Sequence, residues 1–205
     1  VKTNDDVTKA SDLRLEVSGV KDGKVDMAVA DDADAEKAAK NVTVRVAAYD
    51  AGAKIGYVDN ATYEINNDKK SVVTTSTTGA SISVVSCGAA TVSKNLDAGK
   101  TYTVTVKTAK KTFTTTFSVV DTQASASVNI TKKTTTKTNA ADILAETCEV
   151  TYDGKKLNNP TFVVNDNDSK TVGASTYIAK ASVYVTNSKN ITYTVPVTIN
   201  TTFTR

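Results

Sequence analysis

From Leu96 to Val120 apolar and polar residues alternate with a period of two, the pattern of a β-hairpin. Tyr102, Val104 and Val106 fall on one face, and Thr103, Thr105 and Lys107 on the other. After a turn at Thr108, Ala109, Lys110 and Lys111, Phe113, Phe117 and Val119 face inward while Thr112, Thr114, Thr116 and Ser118 face outward. Such a pair rests one face on a core and leaves the other in water. The pattern returns near the end of the chain, where Val183 and Val185 lead to a turn at Asn187, Ser188, Lys189 and Asn190. Ile191, Tyr193, Val195, Val197 and Ile199 then share one face. Two modules ending in the same kind of hairpin are expected, with their boundary in the small, polar stretch Asp121 to Ala126. Residues 1–122 form the first expected β-sandwich and residues 123–205 the second, smaller one.

The rest of the chain fits that division. Residues 1–12 are polar and read as frayed or linker-like. Leu13, Leu15 and Val17 alternate up to Gly19, and Val25, Met27 and Val29 alternate after Asp22-Gly23. Asp31 to Lys40, with acids first, alanines inside and lysines last, predicts a short helix between strands. Strands follow around Val42, Val44 and Val46, Tyr57, Tyr63 with Ile65, Val72 to Thr75, Ile82 with Val84, and Val92. The run Leu96 to Tyr102 resembles the tyrosine-corner approach of immunoglobulin-like sandwiches, which makes Tyr102 a packing residue. In the second module, Val128 and Ile130 open a strand and Lys132 to Asn139 reads as a mobile polar loop. Asn139 caps a short helix over AADILAE, and the pieces TCEVTYDG and TFVV read as strands around a KKLNNP loop. The fold expected is mainly β: two tandem immunoglobulin-like β-sandwich modules, each with a short helix inserted between strands. Pro196 lacks an N–H, so it belongs on a strand edge or at a bulge.

Composition narrows the function more than any motif does. About one residue in six is threonine, which suits strands with hydrated outer faces. The absence of histidine removes Ser-His-Asp and Cys-His nucleophile systems and imidazole metal sites. Two cysteines alone do not make a zinc site. With no Trp and four Phe, aromatic platforms for sugars or single-stranded nucleic acid are poorly supplied, although eight Tyr remain. A net charge of +3 with no dense basic run argues against a nucleic-acid partner. No apolar run approaches the roughly 18 residues of a membrane span, and no signal peptide is visible. The chain opens at Val1, as a mature form or a piece of a longer chain does. Thr-rich strands without His or Trp fit an exposed bacterial surface protein.

The candidate chemistry is sparse. Asp31, Asp32 and Asp34 could offer calcium their carboxylates, or simply decorate a helix N-terminus; the loop Asn165 to Asp168 could do the same, or be a solvated turn. Neither has the glycine or distal glutamate of an EF-hand loop. Cys87 and Cys148 would tie the modules together if bridged; the other reading of Cys148, on a strand face with Val150 and Tyr152, is a buried thiol. Asn41, Asn60, Asn129, Asn167, Asn190 and Asn200 each begin an N-x-S/T triplet, as expected of a chain so rich in Asn, Ser and Thr. Nothing in the spacing identifies the residue trio of an internal isopeptide bond, such as some Gram-positive surface modules carry. No catalytic, cofactor or metal residue is assigned.

Thr151 to Phe162, TYDGKKLNNPTF, and Val183 to Ile199, VYVTNSKNITYTVPVTI, resemble the self-assembly region of the surface-layer (S-layer) proteins of lactobacilli. Tyr152, Asp153, Lys155, Leu157, Asn159, Thr161 and Phe162 match one shared stretch, and Pro196, Val197 and Thr198 match its ending. The resemblance spans residues 145–205; over residues 1–125 it is compositional. It implies a secreted, non-enzymatic subunit that tiles the cell wall as a two-dimensional lattice of copies of itself. Wall polymers would be held by a basic, Tyr- and Lys-rich repeat that these residues lack. Cysteine is a departure, since such proteins usually have none. The rival reading is an adhesin that grips host matrix or glycans through Lys132 to Asn139 and Asn165 to Lys170. An enzyme would need paired carboxylates across a cleft.

Overall fold

The computed structural model describes residues 7–28, 39–66, 69–88, 91–123, 126–187 and 190–205. The chain is mainly β and divides into two compact units, one of Val1–Gly88 with Ser93–Thr122 and one of Ala89–Val92 with Gln123–Arg205.

The first unit contains β1 (Asp12–Ser18), β2 (Lys24–Asp26), β3 (Lys40–Asp50), β4 (Ala53–Tyr57), β5 (Thr62–Ile65), β6 (Val73–Ser76) and β7 (Gly79–Cys87). After β8 (Val92–Lys94), whose last two residues belong to this unit, come β9 (Thr101–Lys107) and β10 (Thr112–Val120). One sheet runs β1-β3-β7-β6, with β4 also on β3 and β8 also on β7; the other runs β2-β10-β9-β5. Val42, Val44 and Val46 are fully buried at alternate positions of β3, as a period of two requires. The β9–β10 hairpin pairs Tyr102 with Phe117 and Val106 with Phe113. Tyr102 and Phe117 are buried and stack at 5.9 Å between ring centroids. The Tyr102 hydroxyl accepts the Asp97 backbone N–H at 2.9 Å, so the polar tip of this packing residue is satisfied where the chain enters β9. The turn is held by the Thr108 hydroxyl, which accepts the N–H groups of Lys110 and Lys111.

Periodicity does not show that β1 and β2, only a turn apart, go to different sheets. β1 pairs antiparallel with β3, while β2 runs parallel to β10. Gly19 permits that departure. It has φ +86°, and a Cβ there would stand 2.1 Å from the Asn41 carbonyl oxygen. The helix expected over Asp31 to Lys40 lies outside the described residues except at its end, where Lys40 opens β3 instead. Val72 closes a 3-10 turn, Lys70–Val72, and the strand begins at Val73.

The second unit contains β11 (Ser127–Ile130), helix α1 (Ala140–Thr147), β12 (Cys148–Tyr152), β13 (Lys155–Lys156), β14 (Phe162–Val163), β15 (Ser169–Val172), β16 (Ser175–Thr186) and β17 (Thr192–Thr204). β11, β12 and β13 make one antiparallel sheet; in the other, β16 pairs with β17 on one side and with β14 and β15 on the other. Asn139 caps α1, its Oδ1 accepting from Ala141 and Asp142, and Ile143 and Leu144 are fully buried. The closing hairpin buries Val183, Val185, Ile191, Tyr193, Val195, Val197 and Ile199, and both of its strands extend well beyond the alternating core of the pattern. Lys155 and Lys156, expected in a loop, form a strand. Asp153 and Gly154, at φ +50° and +71°, make a two-residue turn from β12.

Candidate functional site

The loops singled out for ligand binding are tied into the second unit. Glu146 accepts hydrogen bonds from the Thr135 hydroxyl at 2.9 Å and the Thr136 N–H at 3.2 Å, and pairs with Lys132 at 3.2 Å. The Thr135 hydrogen bond foremost, then Lys132 and the Thr136 N–H, hold its carboxyl below the usual range. Thr135 donates its N–H to Thr204, and Thr204 donates to Lys133, so Lys132 to Asn139 is pinned rather than mobile. Single-sequence reading misses this because the acid that gathers the loop's donors sits on a helix ten residues away. Asp166–Asp168 forms a 3-10 turn, and Asp168 lies 3.8 Å from Lys180, consistent with a solvated turn. Asp31, Asp32 and Asp34 lie outside the described residues. Among the described residues no cluster of three or more acids or cysteines is placed to hold a metal ion.

Cys87 and Cys148 are free thiols, so the disulfide alternative is not realised. Cys148 is buried on the β12 face with Val150, and burial pushes its thiol pKa up. Asn60, Asn190 and Asn200 adopt left-handed backbone at φ +59°, +61° and +44°, a conformation asparagine tolerates better than most residues. Half of the N-x-S/T asparagines therefore have a backbone reason to be there. The first unit has a cavity of about 270 Å³ lined by Tyr63, Glu64, Ile65, Lys70, Val73 and Thr75, in which Glu64 is the one carboxylate.

What stands out is the outer face of the sheet around β16. The exposed large hydrophobic residues among the described ones, Val163, Val172, Tyr177 and Tyr184, all belong to it. Tyr177 pairs across the strands with Lys170 and Thr202, and its hydroxyl donates to Asn200 Oδ1 at 3.1 Å. Tyr184 stands opposite Thr194, and Ser182 lies between Val163 and Pro196. The face thus sets tyrosines, valines and threonines side by side. Charge adds to it. The first unit has sixteen Lys and Arg against sixteen Asp and Glu, and the second nine against six, so the whole excess of +3 falls in the second unit.

The edge of this sheet is guarded. The Asn187 N–H bonds the Ile191 carbonyl, so in the continuing register odd residues of β17 point their backbone groups at β16 and even ones point away. Tyr184 agrees, since its N–H turns to Thr161 on the far side of β16. Pro196 therefore directs its missing donor at the open edge, as expected of a proline within a strand. A bulge follows, with Ile178 opposite Thr201 but Lys180 opposite Thr198, and Asn200 in left-handed backbone within it. Thr91 bridges Thr192 at one end of the edge and Thr134 bridges Thr204 at the other.

One end of the first unit is strapped by side chains. Lys40 Nζ donates to the carbonyls of Asp26 and Ala28 at 2.7 and 2.6 Å. The Asp26 carboxylate accepts the Thr122 hydroxyl at 2.5 Å and its N–H at 3.2 Å. Lys94 Nζ meets Asp121 Oδ2 at 2.6 Å, with both side chains almost wholly buried.

No family model matches the chain, and no curated protein matches it. Among solved structures, domains 4-9 of the surface layer protein SbsC align with 90% of this chain and 35% of that one, at 17% identity and a TM-score of 0.35. The chain spans about a third of the length of that structure. What its own geometry establishes is a mainly β chain of several sheets, with a tyrosine-bearing outer face on the second unit and a guarded edge beside it.

Proposed function

We propose that the chain is a structural, non-enzymatic subunit of a bacterial surface layer, secreted to the cell wall, where copies of it assemble into a two-dimensional lattice. The observation that carries this reading is the outer face of the sheet around β16. It gathers Val163, Val172, Tyr177 and Tyr184 on one threonine-bearing outer face, and Pro196 and a bulge guard the neighbouring edge against uncontrolled pairing. Lattice contacts need faces that repeat from copy to copy and edges that do not extend. The resemblance of Tyr152 to Phe162 and of Pro196 to Thr198 to S-layer self-assembly regions supports the same role. Each unit is read as an immunoglobulin-like sandwich, with Tyr102 as the tyrosine corner of the first. Wall polymers are assigned to a region outside these residues, and neither nucleic acid nor membrane insertion has a part.

A second reading, an adhesin for host matrix or glycans, is favoured by the exposed Tyr177 beside Lys170, the last residue of the Asn165 to Lys170 loop. Negative-stain electron microscopy after slow removal of denaturant separates the two. Ordered sheets or tubes are expected, and they should be lost in the double variant Tyr177→Ser, Tyr184→Ser. Persistent monomers of the parent chain that are retained on matrix protein or glycan columns would overturn the lattice reading.

A further inference from the structure

The geometry points to Lys94 and Asp121 as the partners of an intramolecular isopeptide bond between the two sheets of the first unit. Lys94 ends β8, which pairs with β7; Asp121 follows β10, which pairs with β9 and β2. A bond between them joins the sheets covalently where the chain leaves the unit. Three observations support it. Nζ and Oδ2 lie 2.6 Å apart, and the carboxyl carbon is one bond behind that oxygen. The side chains are 8% and 7% exposed, so water competes poorly for either group. Both backbones are held: Asn95, next to Lys94, donates its N–H to the Val84 carbonyl, and Thr122, next to Asp121, is gripped by Asp26. Two groups fixed in contact react as though present at very high concentration.

The step balances without a further reagent. A proton passes across the 2.6 Å contact from the ammonium to the carboxylate, giving the amine that attacks and the acid that is attacked. Nζ attacks Cγ and the new C–N bond forms. One carboxyl oxygen leaves as water with two of the three ammonium hydrogens, and the third hydrogen remains on the amide. No oxidation state changes. The proposal is independent of lattice assembly, since it concerns one copy of the chain.

Intact-mass spectrometry of the purified full chain, held at neutral pH until its mass is constant, tests it. The expected mass is that of the sequence less one water, and proteolysis should release a branched peptide joining Lys94 to Asp121. Lys94→Ala and Asp121→Ala should each show the full mass of their own sequence, a readout that does not depend on the variant folding. A parent chain at full sequence mass overturns the proposal. So does a water loss that persists in Lys94→Ala, which would place the dehydration elsewhere, for example at Asp22-Gly23 or Asp153-Gly154.

Discussion

Gly19 turns on a single hydrogen atom. Its backbone is left-handed, and the position a side chain would take is filled by the Asn41 carbonyl, a backbone atom that cannot swing aside. Gly19→Ala is therefore expected to destabilise the first unit by about 2 kcal/mol or more, from backbone strain together with displacement of the start of β3. Chemical denaturation reads this as a lower midpoint with an unchanged slope. Glu146 works through hydrogen bonds instead. Its folded pKa is depressed below the ordinary 4.5, so its stabilising effect is complete above that value and is lost as pH falls through the lowered folded one. The melting-temperature gap between the parent and Glu146→Gln should be open at neutral pH and close in acid. A gap that stays constant into acid would mean that the carboxylate's charge is not what pins Lys132 to Thr136.

At the scale of elements, the hairpins were readable because strict alternation leaves one register that buries Tyr102, Val104, Val106, Phe117 and Val119 together. Helix α1 was readable from its Asn139 cap. Two-residue strands were not: Lys155 and Lys156 carry no hydrophobic signal, although Asp153-Gly154 before them is a hairpin turn signal. The placing of β2 beside β10 was beyond reach as well, because three residues cannot announce a partner more than ninety positions away. Pro196 was legible as an edge residue, and its effect can be checked. Pro196→Thr returns a donor to the open edge of β17 while changing stability by no more than about 1 kcal/mol. Size-exclusion chromatography should then show irregular, concentration-dependent oligomers that the parent does not form. An unchanged elution profile would mean that the bulge and the two end bridges guard the edge without the proline.

For the whole molecule, the candidate site was the least legible part. The polar loop Lys132 to Asn139, which looked available, is tied down by Glu146 and Thr204, whereas the exposed tyrosines of β16 carry the same alternating signature as buried ones. Alternation tells which residues share a face, and only packing tells which face is covered. Composition had a similar blind spot. The chain's charge reads as evenly scattered, yet the first unit is neutral and the second holds the whole excess.

The pairing of β2 with β10 also has a mechanical consequence. Because these strands run the same way, tension that enters β2 from its N-terminal side and leaves through the C-terminal end of β10 slides one strand lengthwise along the other. The rungs from Lys24 opposite Ser118 to Asp26 opposite Val120 then strain together, where an antiparallel hairpin pulled at its open end would unzip rung by rung.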